Sequence, residues 1–535
     1  MKFQKLFGVF LMAVMLMISG LSQAQTPVQT PDQEQAQPKH HHRKAAAAAD
    51  APDVTSRLDA LEQQNQALQD RIQTLENGAL SSPNAGMQAV MASQSQPKDD
   101  ETGWIAGPGM HNTEAQYTDA NEYTSSESRY IAFSNPSGDM RFRIGGYMFA
   151  DLELNFFPAG VYLDNSYTSQ SSVGNWNQFA AAKAHLSFDG LYDKMFGMSI
   201  GIEGDKSTSV SMGFFHAYAF AKIDPLFEVI MGKYTNPLSL EGLQPSADLP
   251  FMSASMISDL VVNKDIGVMA VGTIKHFMDY SLDVANGQQD NESSATGPGH
   301  ASDNVKAVTG RIFFVPWEKS SDEDLKGLGF GIGGSWDNEI NGDTAVWAKM
   351  ETSLGGNAFM SYASSVVPKG DFYHWDPQMY YYNGSFGFQS EMVQSIQTVG
   401  EGNLPSVTLT NTAWMAEASW VFGGKAGFEG PQIDNEFDLS KGNLGAFEIV
   451  ARFHQVDMDA NSFYGTNQTG VNFAPGATTG LATGAQVATA YGVAVNWWFN
   501  THFKTQFDLE RTDFSGGTLN VVSEQVFYSR MAFIL

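Results

Sequence analysis

Two glycine-bearing stretches invite a chemical reading first. GMSIG (Gly197 to Gly201) has the G-x-S-x-G spacing with which a hydrolase presents a nucleophilic serine on a strand-to-helix elbow. GFGIGG (Gly329 to Gly334) has the glycine spacing of a dinucleotide-phosphate turn. Neither is followed by the helix that its chemistry needs. GMSIG lies inside the alternating run FGMSIGIEGD, and GFGIGG runs on into SWDNE. Glycines within a strand serve curvature or the close approach of another wall. Asp457 and Asp459, in VDMDAN, have the spacing to touch Ca²⁺, but solvated loop acids are far commoner. Three adjacent histidines, His40 to His42, sit in a low-complexity tract without further ligands, where a solvated linker is the expected reading. With no cysteine there is no thiolate nucleophile, thiolate metal site or disulfide framework. These residues predict no catalytic group, no cofactor and no metal centre.

The charged residues that remain sit at regular positions, and the elements that carry them explain why. From Arg141 to the end, hydrophobicity alternates with a period of two. Phe142, Ile144, Met148, Leu152 and Leu154 share one side of a strand, and Arg141, Arg143, Tyr147, Asp151 and Glu153 the other. Phe447, Ile449, Ala451 and Phe453 oppose Glu448, Arg452 and His454. Phe503, Phe507 and Leu509 oppose Lys504, Gln506, Asp508 and Glu510. Such runs, separated by Gly, Asn, Asp and Pro turns, describe strands with one wet and one apolar face.

The first residues suggest where an apolar face of that extent would go. MKFQKLFGVFLMAVMLMISGLSQAQ carries Lys2, Lys5, an apolar core and small residues at Ser22 and Ala24, the pattern of a secretory signal over 1–24. Its removal leaves 28 basic against 58 acidic residues, a formal charge of −30. Nucleic acid is therefore a poor partner. Beyond the signal no run approaches the roughly 18 apolar residues of a spanning helix. Closed barrels are the other structure that satisfies every backbone group in lipid. Aromatics near strand ends (Trp497–Trp498, Tyr380–Tyr382, Trp414) read as interfacial girdles, and connections alternate between short and long. The last residues, EQVFYSRMAFIL, put Phe527, Met531, Phe533 and Leu535 in one register, a lipid-facing strand that closes the barrel against the one near Arg141. Residues 141–535 are long enough for about 14 to 20 strands, and bacterial barrels favour an even number.

Before the barrel, residues 25–52 form a low-complexity linker rich in Gln, Pro and Ala. Residues 53–77 follow with Val54, Leu58, Leu61, Asn65, Leu68, Ile72 and Leu75 spaced alternately by 4 and 3, a coiled-coil seam with a register-fixing asparagine. Three heptads are marginal alone, so this helix is expected to form where several copies are held together. A second linker spans 78–140.

The barrel region resembles the phosphate-selective porins O and P. RFRIGGYMFADLEL is similar to that family's first strand. IMGKYTNPLSLEG, with NKDIGVMAVG after it, is similar to its Gly-basic-aromatic, Leu-Glu and Asp-Ile-Gly-Val blocks. GAFEIVARFHQVDMD, NWWFNTHFKTQFDLERTDF and EQVFYSRMAFIL follow the order and spacing of its last strands. The resemblance implies an all-β transmembrane antiparallel barrel of 16 strands, a homotrimer in the lipid of the bacterial outer membrane, and passive diffusion of small, anionic solutes such as phosphate. The coiled coil would then lie in the periplasm. The sequence departs from the family where paired basic residues are usual (Ala182 and Lys183), where an Arg is usual (Lys233), and at Leu535, where an aromatic usually ends the chain. By parity Arg141, Arg143, Lys183, Lys233, Arg452, Lys504 and Arg530 are candidate pore-lining cations. Asp151, Glu153, Asp279, Asp283, Glu417, Glu448, Asp508 and Glu510 share the lumen by the same rule, so wall salt bridges are the expected fate of most of those cations. Two rival readings keep the barrel: a specific uptake channel, for example for a ferric siderophore, and a structural or adhesive envelope protein.

Overall fold

The period-two segments form strands, and their alternation sorts two unlike environments. A computed structural model describes residues 129–156, 176–205, 213–287, 306–340, 349–363, 366–401, 406–463, 482–517 and 523–535, apart from Pro136, Gly138 and Pro225. The expected signal peptide, the 25–52 linker, the whole coiled-coil seam and most of the 78–140 linker lie outside the described residues.

The long strands are β1 (Met140–Phe156), β2 (Trp176–Tyr192), β3 (Phe196–Asp205) and β4 (Gly213–Asp224). Next come β5 (Phe227–Thr235), β6 (Lys264–Ile274), β7 (Met278–Ala285) and β8 (Ala307–Phe314). They continue with β9 (Leu328–Ile340), β10 (Val366–Asn383), β11 (Phe386–Glu401) and β12 (Val407–Phe422). The last are β13 (Ala446–Asp457), β14 (Val487–Asn500), β15 (Phe503–Ser515) and β16 (Ser523–Ile534). Each pairs antiparallel with the next, and β16 returns to β1 from Tyr147↔Ile534 to Phe156↔Gln525. The sheet is thus a closed barrel of 16 strands with no open edge along that seam. Gly146 and Leu535 exchange backbone hydrogen bonds of 2.9 and 2.7 Å, so the terminal residue is part of the seam.

Connections at the end holding Met140 and Leu535 are mostly tight: Asp193–Met195, Lys275–Phe277, Gly384–Ser385 and Thr501–His502. Two there are longer, 315–327 and 423–445. At the opposite end the connection 236–263 is described in full, and the long stretches between β1 and β2, β7 and β8, β9 and β10, and β13 and β14 run beyond the described residues. The stretch assigned by composition to the second linker contributes a short strand, Ile131–Ser134, which pairs with Arg141–Ile144 just beyond the end of β16.

The outer face is apolar, as lipid requires: Met148, Phe179, Leu186, Met231, Leu282, Ile332, Val493, Met531 and Phe533 are all exposed there. Its aromatic belt differs from the one expected from the sequence. Trp497 faces out and stacks on Phe447 and Phe499 (5.1 and 4.2 Å between centroids). Trp498, Tyr380 and Tyr382 point inward and are buried. Trp414 faces out but stands midway along β12, stacked on Phe453. Near the tight-turn end the belt is instead built of Phe277, Phe314, Phe330, Phe386, Trp420 and Phe503. Alternation sorts the two faces of each strand, and a ring near a strand end follows its parity to either one.

Candidate functional site: an eccentric passage beside an inward-folded loop

The connection between β5 and β6 decides the site. Residues 236–263 read NPLSLEGLQPSADLPFMSASMISDLVVN, too apolar for a loop in water. Leu238, Leu240, Leu243, Phe251, Met252, Met256, Ile257, Leu260 and Val261 are all buried. The segment turns into the barrel, where Ser239 caps a helical turn, Leu240–Leu243, and Ser255 caps a second, Met256–Leu260. Leu238, Met256, Ile257, Leu260 and Val261 form one core with Val393, Ala413, Met415 and Val456 of the β11–β13 wall. That core continues into Met350, Phe359 and Met360, from a small sheet made by Lys349–Glu351, Ala358–Tyr362 and Ala482–Gly484.

An extended backbone inside a barrel must place its own polar groups, and the wall supplies partners one by one. Asn496 donates to Pro250 O (2.9 Å), Gln506 to Leu249 O (3.2 Å), Arg452 to Ser253 O (2.8 Å) and Arg530 to Met252 O (2.9 Å). The Met252 N–H donates to Asp508 (2.7 Å), that of Met256 to His454 Nδ1 (3.2 Å), and that of Glu241 to Glu391 (2.8 Å). Burial pushes the Glu241 carboxyl above the usual range, while Arg452, 3.7 Å away, pulls it down. Gly333 explains part of GFGIGG: a Cβ there would come within 2.5 Å of Leu238 O, so only glycine lets the loop root lie flat on β9.

The predicted cations fall into three groups. Arg452, Lys504 and Arg530 are inside the barrel but buried beneath the loop. Arg452 pairs with Glu510 (3.1 Å), which also meets His454 (3.0 Å). Arg530 grips Asp151 with two bonds of 2.8 and 2.7 Å and lies over the Phe149 ring. Lys504 lies over Trp498, 4.4 Å from the ring centre, and donates to Leu249 O. These groups fasten the loop. Arg141, Arg143 and Lys183 occupy inward register on β1 and β2, away from it; Arg143 pairs with Asp189 (3.4 Å) and Lys183 with Glu203 (3.2 Å). Lys233 is a correction. It pairs with Ala217 and Ile266 and shares the outward register of Met231, whereas Tyr234 beside it faces in and bonds Asp283.

The loop is seated on the β8–β16 side, and the space beside it lies along β1–β6. A cavity of about 220 Å³ opens there, bounded by the loop's Leu243–Asp248 on one side and by Tyr147, His185, Ser187 and His216 on the other. Sequence reasoning missed several of its residues. Arg129 and Tyr130, in the presumed linker, reach inside: Arg129 is buried and salt-bridged to Asp248, and Tyr130 stands under the Arg143 guanidinium at 4.5 Å. Burial pushes the Tyr130 phenol up to about 12, so it stays a neutral hydroxyl at working pH. Lys264 reaches Thr235 (3.1 Å) and lies over Phe215. Phe215 itself is the extra residue of a bulge, since Gly201 pairs with His216 and Ile202 with Phe214. Ser199 of GMSIG donates to Asp189 (2.6 Å), with His216 Nε2 2.9 Å from its Oγ. The aspartate engages the serine rather than orienting the histidine, on an extended strand with no elbow, unlike an activated triad.

The sequence profile of the family described as phosphate-selective porin O and P matches residues 170–513, more than half of the chain. The chain belongs to that family. It is accordingly a porin-type channel of the bacterial outer membrane. No curated protein matches it in sequence. Among solved structures, an anion-selective porin from Comamonas acidovorans is 9% identical with a TM-score of 0.43, covering 74% of this chain and 100% of its own. The outer-membrane channel DcaP of Acinetobacter baumannii is 9% identical with a TM-score of 0.44, covering 75% and 99%. OmpF of Salmonella typhi, in complex with daunomycin, is 11% identical with a TM-score of 0.44, covering 75% and 100%. At such identities and scores they carry no argument about what passes through this barrel.

Proposed function

We propose that this porin is a homotrimeric diffusion channel that admits small hydrophilic solutes, small anions such as phosphate among them, through the passage along β1–β6. The observation that carries the reading is the pinned loop: it packs against one side of the lumen, and a cavity of about 220 Å³ lies on its other side. Anion passage is supported by Arg129, Arg143 and Lys264 at that cavity. It is tempered by the carboxylates paired with the first two, because a dianion that sheds hydration needs fixed positive charge to replace it. The tight-turn end, which holds the N-terminal side of β1, faces the periplasm in this reading, with the heptad seam as a three-stranded stalk there. A specific uptake channel is the second reading, favoured by the aromatic lining of the cavity.

Reconstitution of the unboiled oligomer in a planar bilayer tests this. A reversal potential across a KCl gradient gives the sign of selectivity, and phosphate titration follows. Anion preference with phosphate block at low concentration supports the family's substrate. Cation preference without block leaves a general porin, and absence of channels leaves the structural reading.

A further inference from the structure

Six aromatic rings line one side of the cavity in a connected row. Tyr147 stacks on His185 across the β1–β2 pair (4.9 Å between centroids, 10° between planes). His185 meets Phe215 edge-on at 5.0 Å and His216 at 5.8 Å. His216, Tyr218 and Phe220 then follow on successive inward positions of β4, at 5.7 and 6.4 Å. At the rise of an extended strand, those three span about 13 Å along β4. Phe220 and the His185 side chain are buried, Tyr147, Phe215, His216 and Tyr218 are partly exposed, and all six line the cavity.

Lys264 lies over the Phe215 ring and bonds Thr235, and the other polar groups beside this row are paired. Arg143 faces Asp189, Lys183 faces Glu203, Tyr147 donates to Glu203, and Ser199 sits between Asp189 and His216. Such rails offer donors and acceptors at close intervals with their charges already matched. A multiply charged anion gains little from them. A solute with an apolar ring face and a rim of hydroxyls gains from both parts: its C–H face covers aromatic surface, and its hydroxyls exchange hydrogen bonds with the rails.

From this juxtaposition we infer that the row of rings from Tyr147 to Phe220 is a binding track for neutral pyranose sugars. The inference rests on the channel reading and gives it a solute class. The track lowers the cost of dewatering such a solute against the wall.

Current block in a planar bilayer tests it, with maltose and maltotriose as probes and a size-matched polyethylene glycol as control. The sugars should reduce the ion current saturably, whereas the polymer follows solution conductivity alone. Tyr218→Ala should raise the half-blocking maltose concentration about tenfold, the equivalent of 1.4 kcal/mol, and Tyr218→Phe should restore it. Heat-modifiable migration on gels confirms that each variant is folded. A sugar response indistinguishable from the polymer's, or one unchanged in Tyr218→Ala, overturns the track while the conducting channel stands. Absence of any conductance in the wild type overturns the channel reading and the track with it.

Discussion

Cations of like chemistry and like strand parity have opposite duties here, decided by which side of the lumen the loop covers. Arg530 is shielded by the loop and holds Asp151 and a loop carbonyl together. Breaking a buried pair strands its partner without water. Arg530→Ala is therefore expected to destabilise the barrel by about 3–5 kcal/mol, seen as a lower urea midpoint in detergent. Lys183 keeps about a third of its side chain in solvent beside Glu203. An exposed pair of that kind contributes about 0–1 kcal/mol, so Lys183→Ala should leave the midpoint almost unmoved. Its effect belongs to the permeating ion: the reversal potential should shift toward cations, since Glu203 is left uncompensated at the wall.

At the scale of elements, the strands were legible and the loop's path was not. Alternation survives because each strand faces lipid on one side and a polar lumen on the other, so Phe447–Phe453 and Glu448–His454 sort without knowledge of neighbours. The parity of Lys233 failed for a local reason: the register is set by its partners Ala217 and Ile266, and a segment as short as GKYT does not fix it. The inward fold of 236–263 depends on contacts more than a hundred residues away, such as Met252 with Asp508. Its signal was present in Leu238, Phe251, Met256, Ile257 and Leu260, a density of large apolar residues unusual in a solvated connection. Gly333 makes the loop's seat testable. Gly333→Ala pushes a methyl group against the Leu238 carbonyl, an overpacking that costs about 1–3 kcal/mol. The expected result is a noisier and larger single-channel conductance as the loop root lifts, with the strand content unchanged by circular dichroism.

For the whole molecule, the seam from β16 to β1 makes the last residues a structural necessity of closure. The heptad seam adds a proposal about assembly: replacing Leu61 and Leu68 with Ser should lower the temperature at which the oligomer dissociates on unboiled gels while the barrel stays folded. An unchanged dissociation temperature would leave the barrel wall alone to hold the proposed trimer. In the proposed channel, solutes pass along β1–β6 and not through the centre of the barrel. The absence of cysteine throughout the chain allows a direct measurement of that. Ser187 borders the cavity on β2, and Ser395 faces inward on β11, fully buried under the loop. In single-channel recordings with a charged methanethiosulfonate reagent, Ser187→Cys is predicted to lose current within the exposure and Ser395→Cys to keep it. Block of Ser395→Cys with Ser187→Cys untouched would contradict the account.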